Sequence, residues 1–237
     1  MATVIGIDFE TTGLLPEEDR IIEVGAALVE WETGNPLMLM SNFVRPERPI
    51  PEEITKITGI TDEQVDVYGI SEKAAFSELH DLMSYADYVM AFNGSRFDQL
   101  FYLAACRRLE VEPSGVFWLD ASCDVKYPEA IKTRNLRHLA SEHSFLNPFA
   151  HRAVFDVLTM FRVAREYNLD EIITRAHEPM VYLQACVSFA ENQKAKDRSY
   201  RWHPPSKVWW KGLKQSDAEI EVVECGFQTR RLERAPE

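Results

Sequence analysis

The chain places acidic side chains where an apolar segment ends. Residues 3 to 9 read TVIGIDF, apolar and β-branched, and the segment closes in Asp8-Phe9-Glu10-Thr11-Thr12-Gly13. Side chains alternate along a strand, so Asp8 and Glu10 project from one face about 7 Å apart and Phe9 from the other. Adjacent anions on an apolar strand repel and are costly to bury, and a divalent cation is their natural compensation. A strand running out into solvent would also tolerate them. D-x-E is expected by chance about once in a chain of this length, and Asp217-Ala218-Glu219 is a second instance here.

Two further segments bring chemistry-bearing residues. Asp98 ends Phe92-Asn93-Gly94-Ser95-Arg96-Phe97-Asp98, at the passage from an apolar strand to a helix. Ser95 and Asp98 have capping-box spacing, so Asp98 could serve helix amides; it also sits beyond a strand end, where open α/β sheets hold ligands. The other segment is His151-Arg152-Ala153-Val154-Phe155-Asp156. Five helical residues rotate by about 500°, leaving His151 and Asp156 about 140° apart, too far to share a helix face. His151 is therefore expected in the loop or first turn after Asn147-Pro148, free to swing toward a site that Asp156 approaches from the helix. Taken singly, both residues also fit a solvated surface.

The elements that must position these residues can be read from periodicity. Residues 3–9, 20–31 and 37–44 suggest a three-strand meander, and 87–92 (DYVMAF) and Phe117 to Ala121 add strands. Thr61 with Gln64 forms a capping box, and Ser71 precedes an amphipathic run to Ser84. Helices are expected from Ser95 to about Arg108, from Asn135 to Glu142 and from about Ala150 to Tyr167; the last puts Ala153, Val157, Met160, Phe161 and Ala164 on one face. The order implies an α/β domain, one mixed β-sheet flanked by helices. The tail reads as strand (181–189), short helix (191–199), two strands (YRW and KVWWKGLK), a helix capped by Ser216 with Glu219, and a closing strand FQTRRL. This β-α-β-β-α-β order is the split-βαβ arrangement of a small α+β module. From Pro179 onward there are ten Lys/Arg against eight Asp/Glu, whereas residues 1–178 hold 16 against 30. Composition thus supports two domains, 1–178 and 179–237.

The motifs together resemble the DEDDh branch of the DnaQ-like 3′-5′ exonucleases, which have a ribonuclease H-like fold. DFETTG is similar to their first motif, NGSRFD to their second and HRAVFD to their third, in order and spacing across roughly residues 1 to 170, and RIIEVGAALV also looks like the family. Phe92 stands where a histidine is common and Gly94 where an alanine is common; neither is a metal ligand. The resemblance implies that Asp8, Glu10, Asp98 and Asp156 hold two divalent metals, with Glu10 in the catalytic set and His151 as general base. It places Thr11 and Thr12 at the terminal nucleotide, and Asn93 is expected as a further substrate-binding residue. The residue types suit that chemistry. Two cations about 3.5 to 4 Å apart can stabilise both the attacking and leaving oxygens of a phosphodiester. Four carboxylates without cysteine favour Mg²⁺ or Mn²⁺ over zinc, and a histidine with an ordinary pKa near 6.5 can take a proton from water. Phe9 and Phe97 are expected in the core.

The tail has its own character. Lys194 to Lys214 contains seven basic residues against Asp197 alone, with Tyr200, Trp202, Trp209 and Trp210 among them. Cations along a phosphate backbone and rings that stack on bases are the parts of a single-strand surface, with Trp202 and Trp209 the candidate rings. A hairpin with all its aromatics turned inward would have the same composition. In a strand Trp209 and Trp210 face opposite ways, so one of them belongs to the core.

Composition sets outer bounds. Hydrophobic residues make up 46% and the formal net charge is −12, an ordinary globular balance. No apolar run reaches the roughly 18 residues of a membrane span, and Asp8 and Glu10 interrupt any signal-peptide core. Cys106, Cys123, Cys186 and Cys225 lack zinc-site spacing and are expected as reduced thiols in a cytoplasmic protein. Nucleophilic-serine, P-loop and dinucleotide motifs are absent. The resulting expectation is a metal-dependent exonuclease releasing nucleoside 5′-monophosphates from the 3′ end of a single strand, DNA favoured over RNA, with no membrane partner. The alternative is a catalytically retired nuclease fold that binds nucleic acid.

Overall fold

The computed structural model describes residues 1–131 and 133–236. They form two compact units, Met1–Ile172 and Ile173–Glu237.

The first unit is built on a five-stranded sheet. Its strands are β1 (Thr3–Thr11), β2 (Ile21–Glu30), β3 (Pro36–Phe43), β4 (Tyr88–Ala91) and β5 (Phe117–Asp120), ordered β3-β2-β1-β4-β5. The meander β1-β2-β3 is antiparallel, and β1, β4 and β5 run parallel. Around it lie α1 (Glu52–Thr58), α2 (Asp62–Tyr68), α3 (Glu72–Met83), α4 (Asp98–Leu109), α5 (Leu136–Glu142) and α6 (Ala153–Ala164); α7 (Leu169–Ala176) spans the division between units. The alternation of β1 sorts its two faces. Ile5, Ile7 and Phe9 are buried against Phe76 and Leu79 of α3 and Phe101 and Tyr102 of α4. Phe97 packs on the same core. On the opposite face a Cβ added to Gly6 would lie 2.6 Å from Val157 and Phe161 of α6, so that glycine admits a helix directly onto the strand. The result is a mixed sheet with helices on both faces, the expected α/β architecture.

Two of the local cap signals hold. Thr61 and Gln64 exchange both capping-box hydrogen bonds, and Ser71 Oγ accepts from Ala74 N. The helix expected from Ser95 begins later: Gly94–Arg96 is a 3₁₀ turn, and α4 starts at Asp98 without a side-chain cap. The helix expected from Ala150 to Tyr167 is trimmed to Ala153–Ala164. Two short helices, α1 and α7, lie outside the elements expected from the sequence.

The second unit contains β6 (Met180–Ala185), α8 (Asn192–Asp197), β7 (Arg201–His203), β8 (Val208–Lys214), α9 (Gln215–Glu224) and β9 (Thr229–Leu232). Its sheet has the order β7-β8-β6-β9, antiparallel throughout. Val181, Leu183 and Ala185 meet Ala195 of α8 and Ala218 of α9 in its core. The strand stops at Ala185 rather than 189, a 3₁₀ turn covering Phe189–Glu191. The Ser216 cap is also displaced: Lys214 is the N-cap of α9, and Ser216 N donates to Glu178 Oε2 at 2.9 Å. No helix among the described residues is long and apolar enough to cross a membrane.

Candidate active site

The acidic cluster forms where β1 meets three other elements. Asp8 and Glu10 lie on the strand face that receives α6, and Phe9, between them, is buried on the other face beside Phe76. Across the β1–β2 ladder Asp8 pairs with Gly25 and Glu10 with Glu23. Gly25 makes room for the helix: a Cβ there would fall 2.2 Å from Val154 N and 2.3 Å from the Ala153 carbonyl carbon. The start of α6 therefore rests on the β2 backbone beside Asp8, which carries Asp156 to the carboxylates.

Asp98 arrives from the far side of β1. It is buried at the start of α4, and its Oδ1 accepts from Phe9 N at 3.0 Å, which ties the second segment to the first. The preceding turn is held by a residue that sequence reasoning missed. Asp120, buried at the end of β5, accepts from Asn93 N (2.9 Å), Ser95 N (3.1 Å), Ser95 Oγ (2.6 Å), Ser122 N (3.0 Å) and Ser122 Oγ (2.6 Å). The Ser95 hydroxyl thus serves Asp120 and not the helix amides. Asn93 is exposed, with a left-handed backbone at φ 64°.

His151 precedes α6 by two residues and is also left-handed, at φ 64°. That conformation is uncommon outside glycine, asparagine and aspartate and reverses the chain direction just before the helix. His151 N donates to Asp156 Oδ2 at 2.9 Å, and Asn147 Nδ2 donates to Asp156 Oδ1 at 2.7 Å. The exposed His151 ring, Glu10 and Asp156 each offer a ligand atom within 4.8 Å of the others. Glu23 is a second residue that sequence reasoning missed. Buried on β2, it pairs with Arg152 (Nη2 to Oε1 2.9 Å, Nε to Oε1 3.1 Å) and accepts from Ala153 N at 3.0 Å. It clamps the entry to α6 between His151 and Asp156. Neither Asp120 nor Glu23 could be found by spacing, because the contacts that tie each to the site come from residues distant in the chain, Asn93 and Ser95 for Asp120 and Arg152 and Ala153 for Glu23.

Thr11 and Thr12 are both buried. Thr11 Oγ1 donates to the Gly13 carbonyl at 2.5 Å; Thr12 Oγ1 donates to Asp19 Oδ1 at 3.1 Å and accepts from Arg20 N at 3.0 Å. Their hydroxyls brace the loop after β1. Trp202 and Trp209 belong to the second unit: Trp209 packs on its core, and Trp202, 46% exposed, lies 5.5 Å from it.

The electrostatics of the cluster are adverse. Burial first, then Asp98, Glu10, Asp156 and Glu23, hold Asp8 well above the usual carboxylate range. Burial and the neighbouring acids push Glu10 up to about 8, and burial raises Asp98 to about 7. Burial also raises Asp156, opposed by its hydrogen bond from His151 N. Such a cluster cannot carry all its charges at neutral pH without compensation. An all-oxygen set of this kind fits hard divalent cations, which would remove the repulsion.

An exonuclease family model (RNase_T) matches residues 5–164. A PolC-type DNA polymerase III from Ureaplasma parvum is 28% identical over 196 residues, 76% of this chain, and the match spans only 13% of that polymerase. Among solved structures, the zinc-bound E. coli ExoI–single-stranded DNA complex matches 78% of this chain and 48% of its own, with a TM-score of 0.64 and 19% identity. The nuclease domain of 3′hExo, a DEDDh family member bound to rAMP, matches 69% of this chain and 90% of its own, with a TM-score of 0.58 and 20% identity.

Proposed function

The chain belongs to the DnaQ-like exonuclease family, and from that premise we propose that it removes nucleoside 5′-monophosphates from the 3′ end of a nucleic acid strand in a reaction dependent on divalent metal. The observation that carries this reading is the convergence of Asp8, Glu10, Asp98 and Asp156, from three separate segments, with His151 beside Glu10 and Asp156. The four carboxylates would hold two ions, Mg²⁺ or Mn²⁺. When bound, these supply charge stabilisation for the attacking and leaving oxygens. His151, on a loop anchored to Asp156 through its own amide, accepts a proton from the attacking water. Water oxygen bonds to phosphorus, the bond from phosphorus to the 3′ oxygen breaks, and the shortened strand keeps a 3′-hydroxyl. Arg152, fixed by Glu23, holds the register between His151 and Asp156. Thr11 and Thr12 shape the loop that receives the terminal nucleotide, and Asn93 stands exposed at the turn before Asp98.

Single-stranded DNA is the favoured substrate, supported by the DNA complex of the ExoI neighbour and the polymerase relative. The test is a matched set of 3′-labelled and 5′-labelled DNA and RNA oligonucleotides incubated with Mg²⁺ or Mn²⁺. A 5′ label should yield a descending ladder and a 3′ label a mononucleotide at once, with faster loss of DNA. Absence of mononucleotide with either ion overturns the reading, and retained strand binding in that event would point to the retired-nuclease alternative.

A further inference from the structure

The sheet of the second unit has one face covered by α8 and α9 and one face they leave open. The helix-covered face takes Val181, Leu183, Ala185, Trp209 and Leu213. Directly opposed residues of antiparallel strands share a face, so the register defines the other side. There Arg201 pairs with Trp210, Trp210 with Gln184, and Gln184 with Arg230. One row therefore crosses all four strands as cation, ring, amide, cation. In the next row Tyr182 on β6 pairs with Gly212 on β8. A Cβ on Gly212 would come within 3.1 Å of the Tyr182 ring, so the missing side chain lets that ring lie along the sheet. The Tyr182 and Trp210 centroids are 6.1 Å apart.

The charges on this face have one sign. It holds residues 180, 182 and 184 of β6, the even positions 208–214 of β8, 201 and 203 of β7, and 230 and 232 of β9, and none of these is acidic. Arg201 and Arg230 are exposed, and neither is ion-paired with any described residue. By contrast Arg198 and Lys211, on the helix side, are both committed to Glu221. Two unneutralised guanidinium groups flanking two aromatic rings match a polyanion that carries flat apolar groups along its length. A four-stranded sheet whose aromatics stack bases while cations follow the backbone is an effective single-strand holder.

We propose that this face binds single-stranded polynucleotide, with bases stacked on Tyr182 and Trp210 and phosphates met by Arg201 and Arg230. The site lies in the second unit and is distinct from the carboxylate cluster. Its rings differ from Trp202 and Trp209, the candidates that composition suggested, because strand parity sends Trp209 to the helix side.

The test uses the full chain in EDTA, where binding is read without hydrolysis, so failure of this site and failure of the exonuclease reading are separate outcomes. Anisotropy of fluorescein-labelled 20-residue oligo(dT) and oligo(U) gives affinity against salt. Trp210→Leu and Tyr182→Leu should each weaken binding roughly 5- to 150-fold, while Trp210→Phe and Tyr182→Phe, which keep a ring, should retain most of it. Arg201→Gln with Arg230→Gln should flatten the logarithmic salt slope by about 1.4, two phosphate contacts at about 0.7 each. Circular dichroism unchanged from the parent shows that a variant is folded. Equal loss for dT and U supports a platform indifferent to sugar; loss for one alone supports the site and assigns the sugar. Parental affinity and salt slope in the folded arginine variant overturn the proposal. So does competition by poly-glutamate as strong, charge for charge, as that by oligonucleotide, which would assign the face to an acidic peptide.

Discussion

In the metal-free protein, replacing Glu10 with Gln should raise stability at pH 8 and leave it nearly unchanged at pH 4.5. Glu10 faces Glu23 across the ladder and lies near Asp156, and its carboxyl is carried from 4.5 to about 8. Between those values the folded chain retains a proton that the unfolded chain has released. Stability therefore falls as pH rises through the window, the direction given by proton linkage. At about 1.36 kcal/mol for each tenfold change, the whole displacement corresponds to about 5 kcal/mol above pH 8. Glu10 is only half-buried, and its neighbours share the same repulsion, so about 2 to 3 kcal/mol should be recovered by removing one charge. For a chain of this size that is roughly 4 to 12 °C in melting temperature. Asp98, raised from 3.8 to about 7, adds to the parent's decline over its own window. The assay is thermal melting followed by circular dichroism in EDTA at pH 4.5, 6 and 8. Adding Mn²⁺ at pH 8 should raise the parent's melting temperature more than the variant's, since the parent has more repulsion to relieve. A parent whose melting temperature stays level or climbs from pH 5 to pH 8 in EDTA would refute the reasoning, and so would a Gln variant less stable than the parent at pH 8.

Gly25→Ala should abolish hydrolysis by displacing the start of α6, because the added Cβ meets backbone atoms at 2.2 and 2.3 Å; far-ultraviolet circular dichroism should remain folded, and normal turnover would show that the helix can shift without cost. His151→Ala should lower turnover by roughly 10² to 10⁴-fold at little change in oligonucleotide affinity. Single-turnover kinetics beside equilibrium binding checks this, and a variant with weak binding but full turnover would make the ring a substrate contact. Asp120→Ala leaves the amides of Asn93, Ser95 and Ser122 and two hydroxyls without their acceptor, and should cost about 3 kcal/mol or more in urea unfolding. A loss below about 1 kcal/mol would mean that the turn before Asp98 holds itself.

Features that depend on neighbours along the chain are legible in the amino-acid order. Alternation put Phe9 in the core and Asp8 and Glu10 on the other face; the Thr61 and Gln64 spacing closed a capping box; and the five-residue gap from His151 to Asp156 excluded a shared helix face, which the left-handed turn before α6 explains. The tail's β-α-β-β-α-β order was likewise legible, since each element has its own period. Features that depend on residues far apart in the chain emerge only once the segments pack. Gly25 matters because α6 lands on it from 128 residues away. Asp120 is occupied by a turn some 25 residues earlier, and Glu23 by an arginine 129 residues later. The same holds in the second unit. The helix-side position of Trp209 and the open-face position of Trp210 follow from strand parity together with the choice of which face α8 and α9 cover. Periodicity carries the parity, but the covered face is settled by packing between segments, where excluded volume and hydrogen-bond satisfaction act without regard to sequence distance.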